Sequence, residues 1–325
     1  MTTDAKIISA LRRASSGAVS GSELSHQLGI SRAAIWARIE ELRSLGYEIE
    51  ASPHQGYRLL QAPDVLHADD LMALLEANAV IGRDIQVFQE TSSTNDIVDR
   101  LGRAGVKEGA VVFAESQTKG RGRLGRKWFS PPRKGLWFSM LLRPPLRPQA
   151  ATQLTVAAAT SLVRTIQEQA GLTAQIKWPN DILLNGKKVA GVLTELSAEL
   201  DCIKYIVLGI GMDVNVNAGE LPPDLRNLAT SLKAEAGRAF RRADLAALLL
   251  RELDKDYAAI CRHEFARLAE EWEAHCSTLG RRVSIRVGER ILEGRAESLD
   301  DDGALLLRTE HGRLERIIGG DVTLG

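Results

Sequence analysis

Seven residues, Gly120-Arg121-Gly122-Arg123-Leu124-Gly125-Arg126, restrict the fold of this chain more than any other stretch. The glycines let the backbone turn its amide N–H groups toward a ligand, and the arginines supply permanent charge in a geometry suited to phosphate or carboxylate. Such a loop is built for an anion. It also satisfies the G-x-G-x-x-G pattern of dinucleotide-binding folds, which demands a helix directly after the glycines. Here Lys127-Trp128-Phe129-Ser130-Pro131-Pro132 follows, and two prolines in succession cannot open that helix. The residues alone leave two readings, an anion-binding loop in another α/β fold or a solvated basic loop.

Net charge does not decide between them. The 42 basic residues balance 42 acidic ones, so any polyanion binding must be local. With 325 residues, 44% of them hydrophobic, the chain can bury more than one core, and two or three domains are expected. Apolar runs are too short or too charged to span a bilayer, and the first ten residues carry no signal-like pattern, so a cytoplasmic location without membrane contact is expected. Cys202, Cys261 and Cys276 show no CxxC or metal-ligand spacing, which suits a reducing compartment and argues against structural zinc.

The opening segment reads as helices. Lys6–Arg13 and Ser22–Leu28 are short and amphipathic, Gly29 turns the chain, and Ser31 caps a helix over Arg32–Leu45 with Ile35, Ile39 and Leu42 on one face. Two helices around a glycine turn match helix-turn-helix geometry, and the strand-turn-strand pattern of 47–60, with its loop Ser52-Pro53-His54-Gln55-Gly56, adds the wing. A winged helix-turn-helix domain is therefore expected over residues 1–62. From 65 to 276 helical and strand-like runs alternate, including the long alanine-rich helix Thr152–Gln169, which predicts a mixed-sheet α/β domain. From 277 to 325 the alternation of Val283, Ile285 and Val287 and the Asp302-Gly303 turn predict a small SH3-like β-barrel.

Further motifs flank the loop. Ser92-Ser93-Thr94-Asn95 lies between a strand and a helix, where a plain N-cap would account for it. In Lys177-Trp178-Pro179-Asn180-Asp181 the proline keeps Trp178 extended and leaves Asn180 and Asp181 at the mouth of a strand. Lys188 with Val189-Ala190-Gly191, and Gly209-Ile210-Gly211, are strands whose glycines admit a ligand, a backbone or simple packing.

Together Ser93-Thr94-Asn95, Gln117 ahead of GRGRLGRKW, KWPNDI, Lys188 with KVAG, and the GIG strand resemble, in order and spacing, the biotin–protein ligases. The likeness is greater to the bifunctional biotin operon repressors that carry a winged helix ahead of the ligase domain, and it covers essentially the whole chain. It implies that Ser93, Thr94, Asn95, Gln117, Arg121, Gly122 and Arg123 line a biotin site and that Lys188 meets the reacting carboxylate and phosphate. The same likeness implies an enzyme that uses biotin, ATP and Mg²⁺, a biotin carboxyl carrier domain of acetyl-CoA carboxylase as acceptor, operator DNA as partner, and a ligand-promoted homodimer. A ligase without repression and a lipoate-type ligase are the alternatives. Two departures stand out. Asp213 follows the GIG strand where the family often has asparagine, the nearest one here being Asn215, and Leu124 replaces an arginine found in some members.

Roles follow from the chemistry so implied. The hydroxyl and amide groups of residues 93–95 and Gln117 suit the ureido ring, with Trp128 or Trp178 as walls. Arg121, Arg123 and Lys188 offset the repulsion of carboxylate and triphosphate. Arg126, Trp128, Lys177, Asn180, Gly209, Gly211 and Asn215 are candidate nucleotide contacts, and Asp181 a candidate base or Mg²⁺ ligand. In the winged helix, Ser31, Arg32, Ala33 and Trp36 open the recognition helix, while Arg38 and Arg58 can reach phosphates. Residues 1–60 carry seven basic and six acidic side chains, a weak charge for a DNA binder.

Overall fold

The computed structural model describes residues 2–14, 17–52, 55–75 and 79–324. They form two units, one of residues 1–77 with 241–247, the other of 78–240 with 248–325.

The first unit opens with α1 (Thr3–Arg13), α2 (Gly21–Leu28) and α3 (Arg32–Ser44). Ser20 and Ser31 cap α2 and α3 by accepting from the N–H groups of Glu23 and Ala34, and Gly29 stops α2 in the left-handed conformation, at φ 67°. Ile35 and Ile39 are wholly buried and Leu42 nearly so, in one cluster with Ile7, Ile8 and Leu24; each such side chain contributes about 1.5–3 kcal/mol of burial. The wing is the antiparallel pair β1 (Glu48–Ser52) and β2 (Gly56–Gln61); Pro53 and His54 of its expected loop lie outside the described residues. α4 (Ala68–Leu75) packs on α1; the sequence pattern predicts a helix from Asp69 to Ala77, and residues 76 and 77 lie outside the described ones. Its buried Asp70 is ion-paired with Arg12 and Arg241.

In the second unit β3 (Asp84–Phe88), α5 (Thr94–Arg103), β4 (Ala110–Ala114) and β5 (Gly135–Leu142) precede the long α6 (Thr152–Ala170). Then come β6 (Gln175–Lys177), β7 (Asp181–Leu184), β8 (Lys187–Glu199), β9 (Cys202–Asp213), α7 (Leu232–Ala236), α8 (Arg242–Cys261), whose residues up to Ala247 belong to the first unit, and α9 (Phe265–His275). The strands form one sheet in the order β3-β4-β5-β9-β8-β7-β6. Only β3 and β4 run parallel; every other pair is antiparallel. A crossover through a helix permits the parallel pair, and short turns suffice for the rest. α5 packs on β4, β5 and β9, where Ile97 and Val98 meet Val112, Leu141 and Val207, and α6 covers β6 to β8.

β7 went unforeseen, and it moves Asp181 from a loop at a strand's mouth to the first residue of a paired strand, opposite Lys177 and Gly191. The Trp178-Pro179 bond before it is cis. Residues 243–274, where the sequence pattern predicts helices, hold α8 and α9. The C-terminal segment is a five-stranded antiparallel sheet, β10 (Arg282–Val287), β11 (Arg290–Leu299), β12 (Leu305–Thr309), β13 (Leu314–Ile317) and β14 (Asp321–Leu324), in the order β13-β12-β11-β10-β14. β11 was likewise not expected.

Candidate active site

At one end of the seven-stranded sheet a cavity of about 650 Å³ opens. Its walls come from the start of α5, the 120–129 loop, the turn before β7, the ends of β8 and β9, residues 221–229, and Gly320–Val322 of the C-terminal sheet.

Ser93, Thr94 and Asn95 are all buried and line the cavity. Ser93 holds the N-cap position of α5, yet its side chain makes no capping bond, so helix capping does not explain that hydroxyl. Gln117 Oε1 accepts from the Thr94 N–H at 2.9 Å, and its Nε2 donates to Ser130 Oγ at 3.0 Å. Thr94 Oγ1 and Ser139 Oγ lie 2.7 Å apart, Ser139 Oγ donates to Asn95 Oδ1 at 2.5 Å, and Asn95 Nδ2 donates to Glu195 Oε2 at 2.6 Å. A continuous polar chain thus crosses one wall. Ser139 and Glu195 are members that sequence reasoning missed, since Ser139 stands among apolar strand residues and Glu195 in a mixed stretch of β8, neither with a local motif.

The loop folds tightly on itself. Gly122 N–H donates to Arg126 O at 2.7 Å, and Leu124, 71% exposed, occupies its tip with a positive φ of 54°. Each arginine has a different anchor. Arg121 Nη1 reaches Asp96 at 2.5 Å and Nη2 reaches Glu195 at 3.1 Å; burial opposes its charge, but the hydrogen bonds it donates to these two carboxylates outweigh that and raise its pKa above the ordinary value. Arg123 donates to Asn180 Oδ1 at 3.3 Å, and burial lowers its pKa against the pull of Asp181 and Asp321. Arg126 pairs with Asp321 of β14.

Lys188 faces the same space from the start of β8. Its Nζ lies 2.6 Å from Asp181 Oδ1 and 5.0 Å from the centre of the Trp128 ring, an ion pair and a cation–π contact together. The backbone there is clamped on both sides, Lys188 N–H to Leu228 O at 2.8 Å and Thr230 N–H to Lys188 O at 2.9 Å. The strand glycines admit the protein's own side chains. A Cβ on Gly209 would stand 2.2 Å from Asn95 Oδ1, and one on Gly211 2.6 Å from the Trp128 indole, which also lies against Gly191. Lys177, Trp178, Asn180, Gly209 and Gly211 all border the cavity.

Asn215 does not. It is buried with both ends of its amide bonded to the Phe240 backbone, at 2.8 and 3.0 Å, so its side chain is spent on holding that backbone in place. Asp213 lines the cavity instead, with Oδ1 buried and without a hydrogen-bond partner. Burial pushes its pKa from 3.8 to about 8, against the pull of Lys188. The folded protein therefore keeps a proton that the unfolded chain gives up above pH 4, and this group's contribution to stability falls as pH rises from about 4 to about 8. Asp213→Asn is expected to raise the thermal midpoint more at pH 8 than at pH 5; equal shifts at both would contradict this account.

In the first unit the exposed residues Arg32, Ala33 and Trp36 share one side of α3, with Trp36 58% exposed, while Arg38 lies across the buried stripe of Ile35 and Ile39 from them. Ser31 spends its hydroxyl on the helix cap. Arg38 is paired with Glu41 and with the part-buried Asp4, and Arg58 with Glu50; the Glu41 and Glu50 pairs are exposed ones that a phosphate can displace at little cost.

Among the described residues no three His, Cys, Asp or Glu side chains converge as metal ligands. Asp181 is a single carboxylate, which suits a Mg²⁺ that arrives on triphosphate oxygens and takes few protein ligands. No described helix is long and apolar enough to cross a membrane.

A helix-turn-helix unit joined to a mixed-sheet ligase domain and a C-terminal sheet is the class that this fold and cavity define. Three family profiles agree: an HTH domain over residues 4–58, the Biotin/lipoate A/B protein ligase family over 87–213, and the Biotin protein ligase C terminal domain over 278–325. The bifunctional ligase/repressor BirA of Bacillus subtilis is 39% identical over 307 residues, covering 94% of either chain, and that of Escherichia coli 32% identical over 306 residues, 94% of this chain and 92% of that one. The biotin protein ligase of Aquifex aeolicus, solved with biotin and ATP, superposes with a TM-score of 0.63 at 31% identity, over 75% of this chain and 99% of that one. The chain belongs to the family of bifunctional biotin ligase/repressors.

Proposed function

We propose that this protein condenses biotin with ATP to biotinyl-5'-AMP, transfers the biotinyl group to a lysine of a biotin carboxyl carrier domain of acetyl-CoA carboxylase, and represses biotin synthesis genes through its winged helix. The observation that carries the enzymatic reading is one cavity in which the 93–95 and Gln117 polar chain, Arg123 and Lys188 meet.

Each part has a task. Ser93, Thr94, Asn95 and Gln117 present donors and acceptors to the ureido ring, while the Trp128 indole, laid over Gly211 and Gly191, makes an apolar wall. Attack of the biotin carboxylate on the α-phosphorus brings two anions together, and pyrophosphate leaves with its negative charge. Lys188, Arg121 and Arg123 stabilise that charge from positions fixed in advance. Gly122 shapes the loop around the acid, and Arg126, Lys177, Asn180 and Asp213 border the space for the nucleotide. Mg²⁺ on the phosphates would supply further neutralisation, with Asp181 as its protein ligand. The product is an acyl phosphate anhydride that water destroys, so a seated 120–126 loop protects it. The acceptor lysine, with an ordinary pKa of about 10.4, then attacks the carbonyl, expelling AMP. Asp181, at 2.6 Å from Lys188, is the carboxylate that takes the acceptor lysine's proton.

Incubating the protein with biotin, ATP, Mg²⁺ and a carrier domain, and weighing the carrier by mass spectrometry, tests this; an unchanged mass would overturn it. The functional division at 1–62, 65–276 and 277–325, the cytoplasmic location and a biotin-promoted homodimer belong to the same proposal. For the DNA face, replacing Arg32 and Trp36 together by alanine is expected to weaken binding to the organism's own biotin-gene control region at least about tenfold in gel shifts, leaving ligation unaltered. Unchanged shifts would remove this face from DNA recognition.

A further inference from the structure

The polar chain of the cavity does not end at the pocket. From Gln117 it passes through Thr94, Ser139 and Asn95 to Glu195, and there it reaches the loop. Glu195 Oε2 accepts from Asn95 Nδ2 at 2.6 Å and from Arg121 Nη2 at 3.1 Å, while Oε1 accepts from Arg121 Nε and Nη2, both at 3.2 Å. Asp96, next to Asn95 on α5, accepts from Arg121 Nη1 at 2.5 Å. One carboxylate therefore receives the last donor of the pocket and the first arginine of the loop, the latter as a fork.

Asn95 has no slack in this arrangement. Its Oδ1 is committed to Ser139, its Nδ2 to Glu195, and it nests where Gly209 lacks a Cβ. A ligand group that presses on Asn95 acts on Glu195 directly, one that presses on Thr94 acts through Ser139 and Asn95, and either effect passes from Glu195 to Arg121.

We infer that Glu195 is a positioning residue that couples occupancy of the Thr94–Asn95–Ser139 pocket to the seating of the 120–126 loop. It rests on the reading that this pocket takes the head of biotin. Coupling of this kind is reciprocal: the filled pocket steadies the loop, and the seated loop slows escape of what the pocket holds. Glu195 and Arg121 are both part-exposed, with side chains 39% and 33% accessible, so the pair can open and close without the cost of burying a lone charge. The coupling governs retention of the adenylate.

Wild type, E195Q and D96N, loaded with biotin and Mg-ATP, would be chased with unlabelled ligand to time adenylate release. In parallel, trypsin cleavage after Arg121, Arg123 and Arg126 would be timed with and without biotin. E195Q keeps an acceptor for Asn95 but gives up the charged fork. It is expected to release adenylate on the order of tenfold faster and to lose most of the biotin-dependent slowing of cleavage, with D96N shifting both less. R121K, which keeps the charge and loses the fork, moves both in the same direction and serves if E195Q fails to fold. Release and protection equal to wild type in E195Q and R121K would overturn the role. A wild type that makes no adenylate would sink the enzymatic reading alone, because biotin-dependent protection needs no ATP and still measures the coupling.

Discussion

Lys188→Ala is expected to slow adenylate formation at least about a hundredfold while biotin affinity changes only a few fold. The ammonium is held by Asp181 at 2.6 Å and by the Trp128 face, on a backbone pinned to Leu228 and Thr230. Such a charge needs no reorganisation when phosphate charge develops, so its loss falls on the transition state more than on binding. Removing it also leaves the Asp181 carboxylate facing incoming phosphates, which adds repulsion. Lys188→Arg keeps the charge, but its planar fork cannot occupy a point-charge position over the indole, and an intermediate rate follows. Single-turnover pyrophosphate release measures this; a Lys188→Ala rate near wild type would show that the charge acts elsewhere.

The second large effect is expected at Gly209. A methyl group there would stand 2.2 Å from Asn95 Oδ1, 3.0 Å from its Cγ and 3.1 Å from its Nδ2. Asn95 is 4% exposed and fixed by Ser139 and Glu195, so it cannot swing aside as a surface amide would. Gly209→Ala should displace it by about an ångström and lower biotin affinity on the order of a hundredfold. The sheet loses no hydrogen bond, so the circular dichroism spectrum should stay native. Calorimetric titration with biotin gives the answer, and wild-type affinity would mean that Asn95 does not contact the ligand.

Local signals announced the parts of the site that depend on local geometry. The glycine-arginine loop, the start of α5 and the strand beginning at Lys188 are written in contiguous residues whose conformational needs are plain. What escaped depends on partners distant in sequence. Glu195 reads as one charge within a strand, and its meaning lies in Arg121, 74 positions away. Asn215 and Asp213 could not be told apart by composition; the Phe240 backbone claims one and leaves the other in the wall. β7 is only four residues long, between a proline and an Asn-Gly turn, too short for its alternation to register. In β11, Gly294 and the charged residues 290, 293, 295 and 297 hide the period-two pattern.

The cavity draws its walls from Ser93 to Val322, with β14 supplying the last of them. Contacts so far apart along a chain form late in folding, because loop closure over such spans carries entropy that early contacts do not repay. A small molecule that fills this space thus has nothing to recognise in partly folded forms. Its stabilisation should appear as slower unfolding and leave the folding rate unaltered. Nutrient supply would then lengthen the life of the finished protein and give no help to its maturation.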